Sequence, residues 1–136
     1  MNPRDEKFPK AVPPELEKIA KEIVDCAYKV HSTLGPGLLE SVYEVALSHE
    51  LKKRGFAVER QVELPVFYDN VRMEAGLRFD MLVNEVIIVE VKAVDDLIPV
   101  HKAQVLTYLK LTKRRLGFLI NFNVPLIKDG IKRVVY

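Results

Sequence analysis

Three residues in one short region could do chemistry together: Asp80, Glu90 and Lys92. Glu90 and Lys92 interrupt Val86-Ile87-Ile88-Val89-Glu90-Val91-Lys92-Ala93-Val94, a run otherwise apolar and rich in Val and Ile. Such a run reads as a strand, and its lack of polar alternation as a strand covered on both faces. Residues two apart in a strand point the same way, so Glu90 and Lys92 share a face. A buried charge is costly unless it is paired or holds a metal. Asp80 lies just upstream, in Arg78-Phe79-Asp80-Met81-Leu82-Val83, and Asn84-Glu85 reads as a hairpin turn. Two carboxylates on neighbouring strands are oxygen ligands suited to a hard divalent cation. A lysine beside them could orient a water or offset charge on a phosphate. Taken alone, Glu-x-Lys is more simply a surface salt bridge on an edge strand.

Register decides between these. A two-residue turn at Asn84-Glu85 pairs Val83 with Val86 and Asp80 with Val89, which puts Asp80 and Glu90 on opposite faces. A shared site needs an odd loop or a bulge. Pairing Leu82 with Val86 satisfies it: Asp80 then faces Ile88 and lies diagonal to Glu90, about 7–8 Å away at Cα, within reach of a bridging ion. This shifted register is the expectation.

Two further groups of residues carry polar chemistry at helical spacing. Glu40, in Gly37-Leu38-Leu39-Glu40-Ser41-Val42-Tyr43, precedes Tyr43 by three, so both can lie near the core-facing side of a helix. A first-turn Glu is also favoured there by the helix dipole alone. Gln104 and Tyr108 share a helix row with Val100 and Leu111. A helix that buries a Gln must give it a polar partner; otherwise Gln104 caps a strand carbonyl and Tyr108 is core. His31 reads as a hydrogen-bonded structural histidine, His101 as able to approach the site, and His49 as surface. Cys26 reads as a small helix filler, with no base placed to activate it.

The elements that must position these residues follow in order. Residues 1–12, with Pro3 and Pro9, read as a flexible arm, and 13–136 as a single domain. Pro13-Pro14 suits the start of a helix, continued by Leu16, Ile19, Ile23, Ala27, Val30 and Leu34 at helical spacing. Gly35-Pro36-Gly37 stops it. A second helix is predicted from about Leu38 to Arg54, with Leu39, Val42, Ala46 and Leu47 on its apolar side. Strand-like stretches at 57–67, 71–83 (broken near Gly76) and 86–94 precede a helix from Pro99 through about Thr112, then strands at 116–120 and 131–136. The order α-α-β-β-β-α-β-β suggests an α/β (α+β) mixed sheet flanked by helices.

Composition narrows the function classes. With 136 residues, 49% of them hydrophobic, the chain can bury a sizeable core. Its one cysteine forms no internal disulfide and no zinc spacing. No apolar stretch is long enough to span a membrane, and the first residues lack the apolar centre of a signal peptide, so the expected location is cytoplasmic. Net charge is +2, but residues 101–136 hold eight Lys and Arg against Asp129 alone. That asymmetry suits a basic surface for a polyanion, though a solvated lysine-rich face explains it as well.

Together these motifs resemble a known family. Gly37-x-x-Glu40-x-x-Tyr43 matches the motif that names the GxxExxY proteins, which belong to the PD-(D/E)XK nuclease superfamily. The resemblance runs from about residue 17 onward. It takes in Val30-His31, Leu34-Gly35-Pro36-Gly37, Asp80…Glu90-x-Lys92, Gln104-x-x-x-Tyr108, Leu119-Ile120-Asn121-Phe122-Asn123 and Lys128-Asp129-Gly130-Ile131-Lys132-Arg133. The superfamily's usual proline before the first acid is absent, Phe79 standing there instead.

The resemblance implies a restriction-endonuclease-like α-β-β-β-α-β core with an extra N-terminal helix and a short C-terminal strand. It implies Asp80 and Glu90 as metal-binding acids for Mg²⁺ or Mn²⁺, joined by the Val91 carbonyl and by Glu40, the extra helix acid of exonuclease-like branches. Lys92 becomes the superfamily lysine, and Gln104 and Tyr108 the Gln-x-x-x-Tyr motif of those branches. The implied activity is metal-dependent hydrolysis of phosphodiester bonds in DNA or RNA. The alternative is a non-catalytic nucleic-acid-binding or protein-interaction module on the same fold. The small size leaves little room for a recognition domain, which keeps a homodimer or a protein partner open.

Overall fold

The computed structural model describes residues 11–136. The arm expected over residues 1–12 lies outside the described residues except for Ala11 and Val12, and Val12 packs against the core. Helix α1 spans Pro14–Leu34, with proline in its first turn where the missing N–H costs nothing. Its buried row is Ala20, Ile23, Cys26, Ala27, Val30 and His31. Gly35 turns the chain with φ 67, a left-handed value glycine adopts without a Cβ clash.

Helix α2 spans Glu40–Lys53, and it is rotated relative to the sequence expectation. Its buried side chains are Tyr43, Glu44, Leu47, Ser48 and Leu51, whereas Leu39 and Val42 are exposed. Tyr43 sets this rotation. Its hydroxyl donates to the Gly35 carbonyl at 2.6 Å and accepts from the Leu38 N–H at 3.1 Å. Its ring stacks on Phe122 with centroids 4.7 Å apart. A tyrosine with both ends engaged outweighs the single exposed apolar faces of Leu39 and Val42.

The sheet has five strands, β1 (Val58–Leu64), β4 (Leu77–Val83), β5 (Ile87–Lys92), β6 (Leu116–Asn121) and β7 (Ile131–Val135), in the spatial order β1-β4-β5-β6-β7. β5 and β6 are parallel and the other neighbours antiparallel. Helix α3 (Pro99–Thr112) makes the crossover that a parallel pair requires. The stretch 71–83 is broken near Gly76 as expected, with β4 starting at Leu77, but its first part belongs to a small unforeseen hairpin: β2 (Phe67–Tyr68) and β3 (Val71–Arg72). Asp69 and Asn70 both take positive φ in its tip, the primed turn that matches strand twist. With α2 as its first helix, the chain therefore forms the α-β-β-β-α-β core expected, preceded by α1 and closed by β7.

Two apolar layers cover the sheet. On the α1–α2 side lie Met81, Val83, Ile87, Val89, Val91, Phe118 and Ile120. On the α3 side lie Phe79, Leu82, Ile88 and Leu119, packed against Val105, Tyr108 and Leu109. From Ile87 to Val91 every residue of β5 is buried, as its apolar run predicts. Gly117 lets α3 approach β6: a Cβ there would meet a Val105 methyl at 2.9 Å and the Ile88 carbonyl oxygen at 3.2 Å. Among the described residues, no helix is long and apolar enough to cross a membrane.

Candidate active site

The β4–β5 connection is neither of the two foreseen. Asn84 and Glu85 both adopt positive φ, and Val86 N–H donates to the Val83 carbonyl at 3.0 Å. The loop thus takes three residues, and Val83 pairs with Ile87, Leu82 with Ile88 and Met81 with Val89. The expected Leu82–Val86 pairing is not formed. The odd loop it required is present, one step further along, so Asp80 falls directly opposite Glu90 rather than diagonal to it. Asn84 explains the choice: its side chain accepts the Ala57 N–H at 2.8 Å while its own N–H donates to the Ala57 carbonyl at 2.8 Å. That pair of bonds ties the turn to the start of β1.

At Asp80 the backbone ladder between β4 and β5 gives way to side chains. The Asp80 N–H donates to Glu90 Oε1 at 2.7 Å, and the Val91 N–H donates to Asp80 Oδ2 at 2.8 Å. Each carboxylate thus crosses to the other strand and takes an amide that a partner carbonyl would otherwise hold. On the other side of β4, the register with β1 is the same before and after this point, with Arg60 opposite Met81 and Val62 opposite Phe79, but the Gln61–Asp80 rung between them is not formed. The faces nevertheless exchange. Met81 and Val83 pack on the α1–α2 side, but Phe79 and Leu77 on the α3 side; Val58 packs on the first side, Val62 and Leu64 on the second. Regular alternation keeps residues two apart on one face. Both strands therefore invert at the Gln61–Asp80 step, where Gln61 has φ 54. A non-glycine residue in that region costs about 1–2 kcal/mol.

Electrostatics mark the same spot. Glu90 is buried, and burial pushes its carboxyl up to about 8, with repulsion from Asp80 adding to the rise and the Asp80 N–H and Lys92 opposing it. Burial likewise pushes Asp80 up to about 6, against the pull of the Val91 N–H, with Glu44 and Glu40 adding repulsion. Tyr108 is raised by burial and by the charges of Glu90 and Asp80, and its ring packs against Phe79, the neighbour of Asp80, with centroids 5.6 Å apart. Among the described residues, Lys92 forms no ion pair with either acid. Among the described residues no cation pairs with either acid, and the two share their site by holding a proton on Glu90 at neutral pH.

The remaining sequence-predicted residues surround this pair unequally. Lys92 is half-buried at the end of β5. Val91 is engaged through its N–H, so its peptide lies beside the acids. Glu40 is exposed in the first turn of α2, close enough for its charge to raise both Asp80 and Glu90. Gln104 is exposed, and among the described residues its amide makes no hydrogen bond. The row it shares with Tyr108 is not a core row, since Val100 and Leu111 are each about half exposed. Val105 and Leu109 face the sheet instead. His31 Nε2 donates to the Val124 carbonyl at 2.7 Å. His101 accepts the Ile98 N–H at 3.1 Å, which makes it the cap of α3 rather than a residue of the site.

Two residues of the site escaped the sequence reading. Glu44 is a buried carboxylate bound by Arg60 Nε at 3.0 Å, Arg60 Nη2 at 2.6 Å and Gln61 Nε2 at 2.7 Å. Gln61 Nε2 also lies 3.5 Å from Asp80 Oδ1. The signal for Glu44 was its place four residues after Glu40, one turn on along the same helix row. Gln61 carried no signal, because nothing local marks a positive φ in mid-strand.

The donor chemistry fits a hard cation. Among the described residues no three His, Cys, Asp or Glu side chains form a ready-made cage. Mg²⁺ does not need one: it is held by one or two carboxylates together with waters and substrate phosphates. Two adjacent, desolvated carboxylates that form no ion pair among the described residues suit that binding mode. A groove of about 610 Å³ between α1 and α2, lined by Val30, Leu34, Val42 and Val45 among others, and a cavity of about 650 Å³ beside Leu64, Met73 and Leu77 contain none of these acids. A family model described as the PD-(D/E)XK nuclease superfamily matches residues 17–134. No curated protein and no solved structure matches the chain.

Proposed function

The chain belongs to the PD-(D/E)XK nuclease superfamily, and from that premise we propose that it is a metal-dependent nuclease of the GxxExxY type that hydrolyses phosphodiester bonds in nucleic acid. The observation that carries this reading is the facing pair Asp80 and Glu90, each held by an amide of the other strand, both raised, and in no ion pair among the described residues. The alternative, a structural ion-pair network on a non-catalytic module, finds no ion pair to either acid among the described residues to support it.

Asp80 and Glu90 would hold Mg²⁺, with the Val91 carbonyl and Glu40 as further ligands. When bound, the ion supplies Lewis acidity at the scissile phosphate and a more acidic water at neutral pH. The chain's own residues do the rest. The amides of Asp80 and Val91 fix one oxygen of each carboxylate, so the ligands are oriented before anything binds. Lys92 offers three N–H donors on the face of Glu90; it orients the attacking water or offsets charge on the phosphate. Tyr108 walls the site, and Gln104, at the exposed rim of α3, contacts the nucleic-acid backbone. Lys102 and Lys110 on the exposed side of α3 add phosphate affinity that falls with salt. Other basic residues of this region serve the fold: Arg133 pairs with Glu17, and Arg114 and Arg115 hold the Glu85 and Tyr136 carbonyls.

The test is cleavage of a panel of single- and double-stranded DNA and RNA with Mg²⁺ or Mn²⁺, run beside Lys92→Ala. The expected result is metal-dependent cleavage that Lys92→Ala abolishes while circular dichroism stays unchanged. Equal cleavage by that variant would refute the role assigned to Lys92.

A further inference from the structure

Gln61 stands on β1 where both strands invert, beside Asp80 on β4 at the one unformed rung between the pairs Arg60–Met81 and Val62–Phe79, with a positive φ that only glycine adopts freely. Its amide has two N–H donors. One approach is short, 2.7 Å to Glu44 Oε1; the other is long, 3.5 Å to Asp80 Oδ1. Glu44 is buried and its other oxygen is saturated by Arg60. Asp80 has its other oxygen held by the Val91 N–H. One neutral nitrogen therefore sits between two carboxylates, and it faces the oxygen of Asp80 that no backbone amide holds.

We propose that Gln61 is a positioning residue for the nuclease site: its amide, anchored on Glu44, keeps the Glu44 and Asp80 carboxylates apart and turns Asp80 Oδ1 toward the position a divalent cation shares with Glu90. This deepens the nuclease reading and rests on it. Backbone strain that survives beside a site, where glycine would relieve it, marks a side chain with work to do. Outer partners that orient a ligating carboxylate govern metal affinity as directly as the ligands do.

The experiment uses the full chain, with Mn²⁺ as the probe. Gln61→Gly removes the amide and relieves the strain; Gln61→Glu keeps the shape and puts a third carboxylate between the other two. Melting temperature in chelator, Mn²⁺ affinity by titration calorimetry, and kcat and the KM for Mn²⁺ are measured for both. Gln61→Gly is expected to stay folded in chelator, relief of strain offsetting the lost bond to Glu44, yet to bind Mn²⁺ about 10–100-fold more weakly, with KM for Mn²⁺ rising more than kcat falls. Gln61→Glu is expected to bind more weakly still, whereas a space-filling role would tolerate it. Wild-type Mn²⁺ affinity in both variants overturns the inference. Cleavage retained by Glu90→Gln would sink the nuclease site itself, and a wild-type chain that takes up no Mn²⁺ would sink both.

Discussion

The two ends of the β4–β5 hairpin are built from the same strands to opposite purposes. At the closed end, Met81–Val83 and Ile87–Val89 pair backbone to backbone, and every side chain is apolar and buried. At the open end, one residue further, the amides of Asp80 and Val91 are taken by carboxylates and the faces of β1 and β4 exchange. The closed end draws stability from burial; the open end holds charge that burial disfavours. A charged site can be kept this dry because the rungs beside it do not depend on it.

Substitutions should separate the two ends. The largest effect is expected at the open end: Glu90→Gln should reduce metal-dependent cleavage by at least about 10²–10³-fold with little loss of fold. A cleavage assay paired with circular dichroism checks both halves. At the closed end, Ile88→Ala should cost about 2–5 kcal/mol in urea unfolding while the remaining folded protein cleaves normally. If Ile88→Ala also abolished cleavage per folded molecule, the two ends would not be separable.

A smaller effect concerns pH. Glu90 and Asp80 are raised to about 8 and about 6, so between roughly pH 4.5 and 8 the folded chain binds more protons than the unfolded one. Metal-free stability must then fall as pH rises through that window, by at most about 1.4 kcal/mol per pH unit for each proton. Thermal melts in chelator from pH 5 to pH 8 measure the slope. Glu90→Gln should flatten it, and Mg²⁺ at pH 8 should restore stability; a slope of the opposite sign would mean that the acids are compensated inside the fold. The smallest effect is at the rim. Gln104→Ala, on an exposed surface, should shift stability by no more than about 0.5 kcal/mol and weaken nucleic-acid binding without changing Mn²⁺ affinity.

Much of this was legible in the residues themselves. The Val and Ile run announced a strand buried on both faces, and β5 is buried as it implied. Proline and glycine punctuation placed α1 and α3 within a residue of their observed ends. Helix α2 was misread in its rotation, because hydrophobicity at Leu39 and Val42 was visible and the two hydrogen bonds of the Tyr43 hydroxyl were not. Glu40, Asp80, Glu90 and Lys92 could be singled out as charges in unusual company, while Glu44 and Gln61 resembled ordinary polar residues until α2 and β1 were brought together.

Residue order alone settled the elements and the residues with reactive groups, because periodicity, turn chemistry and an anomalous charge are local properties. Whether Asp80 and Glu90 meet was a different matter. It depended on a third loop residue, recruited by hydrogen bonds between Asn84 and Ala57 across 27 positions of chain. It depended also on an inversion at Gln61 that β1 and β4 undergo together. Both are long-range pairings, and a one-residue change in register moves every side chain to the other face. Only the assembled sheet could make that choice.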